Sequence, residues 1–208
     1  MPSQGYVRYP TIHQDSIVFV SEDDLWLVSQ EGGRAERLTA GVGEVSYPRY
    51  SPDGTLLAFV GREEGPGEVY VMPAQGGIAK RLTFQGAFCR IAGWQPNGEE
   101  ILFASNSGQF AWRFEVLYAI APDGGQPRQL PFGMANAISY GPHGEVVIGR
   151  NINTRDFSHQ KRYRGGRVGH FCRIRNRRRS AWPGDHGTRT PRQQGIRSPL
   201  RRRLAFRV

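Results

Sequence analysis

The sequence predicts an all-β chain folded as an incomplete β-propeller, with about three and a half four-stranded antiparallel blades. Three observations predict it. A turn built from Pro, a small polar residue and Gly recurs as Ser51-Pro52-Asp53-Gly54, Gln95-Pro96-Asn97-Gly98 and Gly141-Pro142-His143-Gly144, at steps of 44 and 46 residues. An apolar-aromatic run recurs as Leu25-Trp26-Leu27-Val28, Val69-Tyr70-Val71-Met72 and Leu117-Tyr118-Ala119-Ile120, at steps of 44 and 48. A Gly-Gly pair follows at 32/33, 76/77 and 124/125, and five residues later comes Leu38, Leu82 or Leu130. The distance from aromatic run to Gly-Gly is seven residues in all three copies, so one structural unit is repeated.

Each unit holds about four short β-rich runs separated by Pro, Gly, Asn and Asp, with no 3.6-residue apolar period long enough for a helix. The copies are placed at about residues 5–46, 47–90, 91–138 and 139–171. In the first, Tyr9-Pro10 and Asp15 anticipate Tyr47-Pro48 and Asp53 at a shorter step of 38 residues. From Asp15, Asp53 and Asn97 to the next aromatic run is 10, 16 and 20 residues, which marks one hairpin of variable reach and concentrates insertions on one face. In the turns, Asp53 and Asn97 are expected to accept backbone hydrogen bonds, while Gly54, Gly98 and the pairs Gly32-Gly33, Gly76-Gly77 and Gly124-Gly125 supply positive backbone angles. Trp26, Tyr70 and Tyr118 share one repeat position and are expected to pack between blades.

The fourth copy starts regularly at Tyr140 to Arg150 but does not finish. If Phe171 stands where Leu25 stands in the first copy, Gly-Gly should fall at 178/179 and Leu at 184, where the sequence has Arg178, Arg179 and Gly184. The repeat region is therefore expected to end at 171, followed by an Arg-rich segment, 172–208, read as disordered or out of frame. Charge divides in the same way. The whole chain carries 28 Lys+Arg against 18 Asp+Glu, a net of +10, yet residues 1–150 hold 11 basic and 16 acidic side chains and residues 151–208 hold 17 and 2. A nucleic-acid partner is not expected from a balance of this origin, although a genuine basic tail binding phosphates is the competing reading of 172–208.

The order of Asp-Gly turn, apolar strand, aromatic strand, Gly-Gly and Arg-Leu-Thr resembles the PD40 or TolB-like propeller repeat, since no Trp-Asp pair ends a blade. The stretches Tyr6-Val7-Arg8-Tyr9-Pro10-Thr11-Ile12-His13 and Ile17 to Trp26, with Gly61-Arg62-Glu63-Glu64 before Glu68 to Pro73, resemble the start of the first propeller of tricorn-type proteases. Ala104-Ser105-Asn106 and Lys161 to Gly166 fit the same family. The resemblance implies that the intact protein is a large cytoplasmic serine peptidase degrading oligopeptides, often a homo-oligomer, with a six-bladed propeller, a seven-bladed propeller, a PDZ-like domain and separate catalytic domains. Its catalytic residues have no counterparts in this chain, which by this reading is a non-catalytic propeller fragment that guides or gates peptides. Arg113, between Trp112 and Phe114 in the longest complete hairpin, is the candidate for the peptide channel. The alternatives are a TolB-like interaction scaffold and the propeller of a prolyl-oligopeptidase-type hydrolase.

Independent chemistry is sparse. There is no Gly-x-Ser-x-Gly, P-loop, His-Glu-x-x-His or paired-Cys motif, and no cofactor or metal is expected. Cys89 and Cys172 are expected as free thiols, and Glu22-Asp23-Asp24 as an acidic hairpin turn in preference to a cation site. No run is long and apolar enough to cross a membrane as a helix, and the N-terminus lacks a signal-peptide pattern, hence the cytoplasmic expectation.

Overall fold

A computed structural model describes residues 6–111, 114–150 and 170–174. Its regular elements are strands: β1 (Arg8–His13), β2 (Ser16–Ser21), β3 (Asp24–Ser29), β4 (Glu36–Arg37), β5 (Glu44–Tyr50), β6 (Leu56–Arg62), β7 (Glu68–Pro73), β8 (Lys80–Arg81), β9 (Cys89–Trp94), β10 (Ile101–Ser105), β11 (Val116–Ile120), β12 (Arg128–Met134), β13 (Ala137–Tyr140), β14 (Val146–Arg150) and β15 (His170–Ile174). They form three four-stranded sheets, β1 to β4, β5 to β8 and β9 to β12, and one sheet of three strands, β13 to β15. Within each sheet every pairing is antiparallel and joins strands consecutive in sequence, so each sheet is a meander, referred to as blades I to IV. The fourth sheet carries its last strand past Phe171, to Ile174, further than the sequence boundary at 171.

In blades II and III the middle strands are apolar at nearly every position because both of their faces are covered, one by the blade before and one by the blade after. In blade II, Leu57, Phe59, Tyr70 and Met72 point back to Val18, Val20 and Leu25 of blade I. The alternate residues Ala58, Val60, Val69 and Val71 point forward to Ile101, Phe103, Tyr118 and Ile120 of blade III. Blade III repeats the step, with Leu102, Ala104, Leu117 and Ala119 meeting Val146 and Ile148 of blade IV. A one-residue slip of any middle strand would exchange its two faces, so the paired large-back, small-forward pattern fixes register as well as packing.

Strands β1, β5, β9 and β13 are the inner strands. β5 lies against both β1 and β9, and β13 lies against β9. The outer strands β4 and β8 are two-residue edges, too short to template pairing with another chain. All connections from second to third strand leave from one rim. In the first three blades they comprise residues 22–23, 63–67 and 106–115, so these connections lengthen from two to ten residues around the arc. The first is a two-residue turn with Glu22 at φ 51° and Asp23 at φ 64°, the positive pair a type I′ hairpin requires.

Candidate functional site

The inner strands converge on the axis of the arc, and what they carry there differs between the two rims. At the hairpin rim two inner strands, β1 and β9, carry near their starts arginines held by carboxylates. The Arg8 guanidinium lies 2.9 Å from Asp23 and 3.7 Å from Glu44 of the next blade, and Arg62 meets Glu44 at 4.0 Å. At the equivalent place in blade III, Arg90 pairs with Glu115 at 3.4 Å and donates to the Asn136 carbonyl at 2.7 Å. Arginine at this register therefore ties a hairpin of its own blade to the start of the next one.

Further along, the inner strands β1, β5 and β9 each kink. The register between β1 and β2 shifts between Arg8 and Thr11, that between β5 and β6 shifts between Ser46 and Arg49, and that between β9 and β10 shifts after Leu102. Such bulges bend a strand and redirect its side chains. In the first two, the Tyr of Tyr-Pro sits in the left-handed region, Tyr9 at φ 50° and Tyr47 at φ 54°, a strained setting for an aromatic residue. Their rings lie 4.4 Å apart across the boundary of blades I and II.

The opposite rim is formed by tight turns. Asp53 accepts from the Ser51 hydroxyl at 2.6 Å, the Thr55 hydroxyl at 2.8 Å and the Thr55 amide at 3.1 Å, and Ser51 Oγ in turn accepts the Leu56 amide at 2.9 Å. The Ser51 bond first, then the Thr55 bonds, bring the Asp53 carboxyl down to about 2. Asn97 accepts the Glu99 amide at 3.1 Å in the corresponding turn of blade III. Gly54, at φ 75°, lies under His13 of blade I so closely that a Cβ would stand 2.3 Å from the imidazole. Gly98, at φ 76°, faces Pro52. The Gly-Gly pairs at 32/33, 76/77 and 124/125 all have positive φ, and Trp26, Tyr70 and Tyr118 share one register position on the third strand of their blades.

Sequence reasoning missed a buried polar clasp that locks the outer strand of two blades. In blade II the Glu68 carboxylate accepts the Thr83 hydroxyl and the Gly86 amide, Thr83 Oγ1 accepts the Val69 amide at 2.9 Å, and Arg81 lies 3.6 Å from Glu68. Blade I has the same device in Asp24, Thr39, Leu25 and Arg37, with Thr39 donating to Asp24 at 2.9 Å. Arg-Leu-Thr is legible as a repeat marker of the first two copies, and its partner stands in the sequence as the acid directly before the first two aromatic runs, Asp24 and Glu68. Their connection required the fold, because the acid opens the third strand and the threonine follows the fourth, 15 residues later.

Arg113 lies outside the described residues, as does the Lys161 to Gly166 run. Among the described residues, no group of three or more His, Cys, Asp or Glu could hold a metal ion, and no helix is long and apolar enough to cross a membrane. The Glu22-Asp23-Asp24 carboxylates are engaged individually, Asp23 by Arg8 and Asp24 by Thr39 and Arg37. Cys89 is a buried free thiol donating to the Gly67 carbonyl at 3.0 Å, and burial, helped by the nearby Glu68, raises its pKa far above the reactive range.

Residues 4–185 match the family model described as the tricorn protease N-terminal β-propeller domain, a match that continues beyond residue 171. Tricorn protease homolog 1 of Streptomyces coelicolor is 39% identical over 166 residues, which is 79% of this chain and 15% of that protein. A protein of Sulfurisphaera tokodaii named as a tricorn-like protease N-terminal subunit is 30% identical over 174 residues, 81% of this chain and 86% of its own length. A crystal structure of the tricorn protease superposes with a TM-score of 0.71 at 29% identity, covering 83% of this chain and 17% of that one. TolB from Acinetobacter baumannii, at 20% identity and a TM-score of 0.59, covers 73% of this chain and 39% of its own and shares the fold. The chain thus spans about 15% of the length of several full-length relatives it matches. The chain belongs to the tricorn protease N-terminal β-propeller family.

Proposed function

We propose that this chain is the peptide-guiding propeller of a cytoplasmic tricorn-type serine peptidase and carries no catalytic machinery itself. The observation that carries the reading is the asymmetry of the two rims. On one, the connections are tight turns fixed by their own side chains. On the other, the connections of the first three blades lengthen from two to five to ten residues beside the inner strands, where they can restrict or direct an extended chain entering along the axis. Peptide hydrolysis is the activity of the whole protease, with its active site on domains outside this propeller, and assembly into a homo-oligomer belongs to that larger protein.

The test is cleavage of a peptide length series by a tricorn-type protease whose N-terminal propeller carries this sequence, with residues 106–115 reduced to the two-residue turn of blade I. Guiding by the rim predicts a changed kcat/KM for long peptides with tripeptide turnover left as it was. Equal effects at every length overturn the guiding role. Peptide hydrolysis by the 208-residue chain alone overturns the non-catalytic assignment.

A further inference from the structure

Among the described residues eight large apolar side chains are exposed. Six of them, Tyr6, Val7, Phe84, Phe88, Phe110 and Met134, stand on the hairpin rim, while Ile12 and Ile78 lie toward the turn rim. The three phenylalanines belong to one place. Phe84 and Phe88 are on the crossing from β8 to β9, 75% and 39% exposed, and Phe110, 86% exposed, is in the neighbouring hairpin of blade III. Crossing and hairpin are fastened together. The Phe88 amide donates to Asn106 Oδ1 at 2.9 Å, the Asn106 backbone amide donates to the Phe88 carbonyl at 3.3 Å, and the Ser105 hydroxyl donates to Gln85 Oε1 at 3.3 Å. The hairpin is also braced from beneath, where the Tyr118 hydroxyl donates to the Ser107 carbonyl at 2.8 Å. The Phe110 ring lies 4.5 Å from that of Phe114, and the Arg81 guanidinium lies 4.5 Å over the ring of Phe84.

The fold does not require these rings. One crossing earlier, between blades I and II, the places of Phe84 and Phe88 are held by Ala40 and Glu44, as the shared clasp positions of Thr39 and Thr83 and the 44-residue step show. Aromatic side chains gathered in water, where the repeat is satisfied by a methyl group and a carboxylate, mark a contact made with something else. Charge narrows what that is. Residues 82–88 and 105–111 contain no charged side chain, whereas the hairpins of blades I and II carry Glu22-Asp23 and Glu63-Glu64. Arg81, the cation over Phe84, is already paired with Glu64 at 3.3 Å and Glu68 at 3.6 Å. A charged ligand would shed water here without gaining a partner, while a large apolar side chain would gain from burial. Phe88 is the residue before inner strand β9, so the strip leads from the outer strand of blade II to the inner strand of blade III.

We propose that Phe84, Phe88 and Phe110 form a docking strip for the large apolar side chains of an extended peptide at the hairpin rim. This rests on the peptide-guiding reading above and names the class of peptide: the rim selects by aromatic and aliphatic content at this blade boundary.

Fluorescence anisotropy on the 208-residue chain tests it with three labelled peptides of equal length and charge, whose central residues are Ala, Leu or Phe. The Leu and Phe peptides are expected to bind about tenfold more tightly than the Ala peptide. Phe84→Ala, which installs the residue blade I has at this place, and Phe110→Ser should each remove most of that preference and leave the Ala peptide unchanged. Ile78→Ser, an equally exposed apolar site on the opposite rim, should keep the preference whole. Equal affinity for the three peptides in the unaltered chain overturns the strip without recourse to any variant and leaves peptide guiding standing. The same holds if the preference survives both phenylalanine substitutions, or is lost in Ile78→Ser as well. Absence of binding by any peptide overturns the guiding reading together with the strip. Sedimentation velocity covers the remaining occupant: self-association that Phe110→Ser abolishes, with peptide affinities unchanged, assigns the strip to a second copy of the chain and overturns the proposal.

Discussion

Blades II and III present the same packing positions to their neighbours but fasten their outer strands differently. In blade II the fastening is Glu68, Thr83 and Arg81, a carboxylate that is almost fully buried and bonded on each side. In blade III the corresponding positions, set by the shared register of Tyr70 with Tyr118, are Val116 and Pro131. Acid and hydroxyl have both gone. A buried polar pair is tolerable only when complete, because either member left alone keeps its desolvation penalty. Replacement of the two together by apolar residues removes the penalty along with the bond. The comparison teaches that this clasp is a two-residue unit, present or absent as a whole.

Blade I supplies the other contrast. Ile17, Phe19, Trp26 and Val28 stand at the positions of Leu57, Phe59, Tyr70 and Met72 in blade II, yet they are only half-buried, while the blade II set is buried. The residue type at a position is therefore chosen for a neighbour, and burial follows from whether that neighbour is there. The largest expected effect comes from this gradient. Phe103→Ala, in the covered face of blade III, should cost about 3–5 kcal/mol, and Phe19→Ala about half as much, in urea unfolding monitored by circular dichroism. Equal losses would mean that preceding-blade cover contributes nothing.

The clasp is tested next. Glu68→Ala leaves Thr83, the Gly86 amide and Arg81 short of a partner and should cost about 3 kcal/mol. Glu68→Val with Thr83→Val should cost less than the single change, and a larger loss in the double variant would break the comparison with blade III. A smaller effect is expected at the opposite rim. Gly54→Ala meets both the His13 ring and an unfavourable φ and should cost about 2 kcal/mol, against about 1 kcal/mol for Gly125→Ala, where φ is 108° but no atom lies within 4 Å.

The smallest effect is a slope with pH. Asp53 has its carboxyl at about 2 against an ordinary 3.8, so its contribution is fully present above about pH 4 and disappears as pH falls through 2. Tm measured from pH 5 to pH 2 should fall less steeply for Asp53→Asn than for the unaltered chain.

Much of the fold is legible in the sequence because its determinants are local. Asp53 finds Ser51 and Thr55 within two residues, and the alternation of Phe59 and Val60 shows two covered faces without any knowledge of what covers them. The inner wall was not legible in the same way. Tyr9 and Tyr47 read as repeat landmarks, and nothing in Tyr-Pro announces a left-handed tyrosine, since the strain exists only because a paired strand imposes the bulge. Arg113 was singled out from its place in a long hairpin, a criterion that marks reach and says nothing of surroundings.

The meander has a consequence in time. Because every hydrogen-bonded pairing joins consecutive strands, each blade can zip from its own turns as soon as its stretch of chain is free, without waiting for distant sequence. The face that blade II turns toward blade I finds its cover already made, while its forward face waits for β10 and β11. Blades can therefore assemble in the direction of synthesis, with the forward middle-strand face of blade II, Ala58, Val60, Val69 and Val71, presenting small aliphatic side chains until blade III arrives, while its aromatic Phe59 and Tyr70 meet a blade already in place.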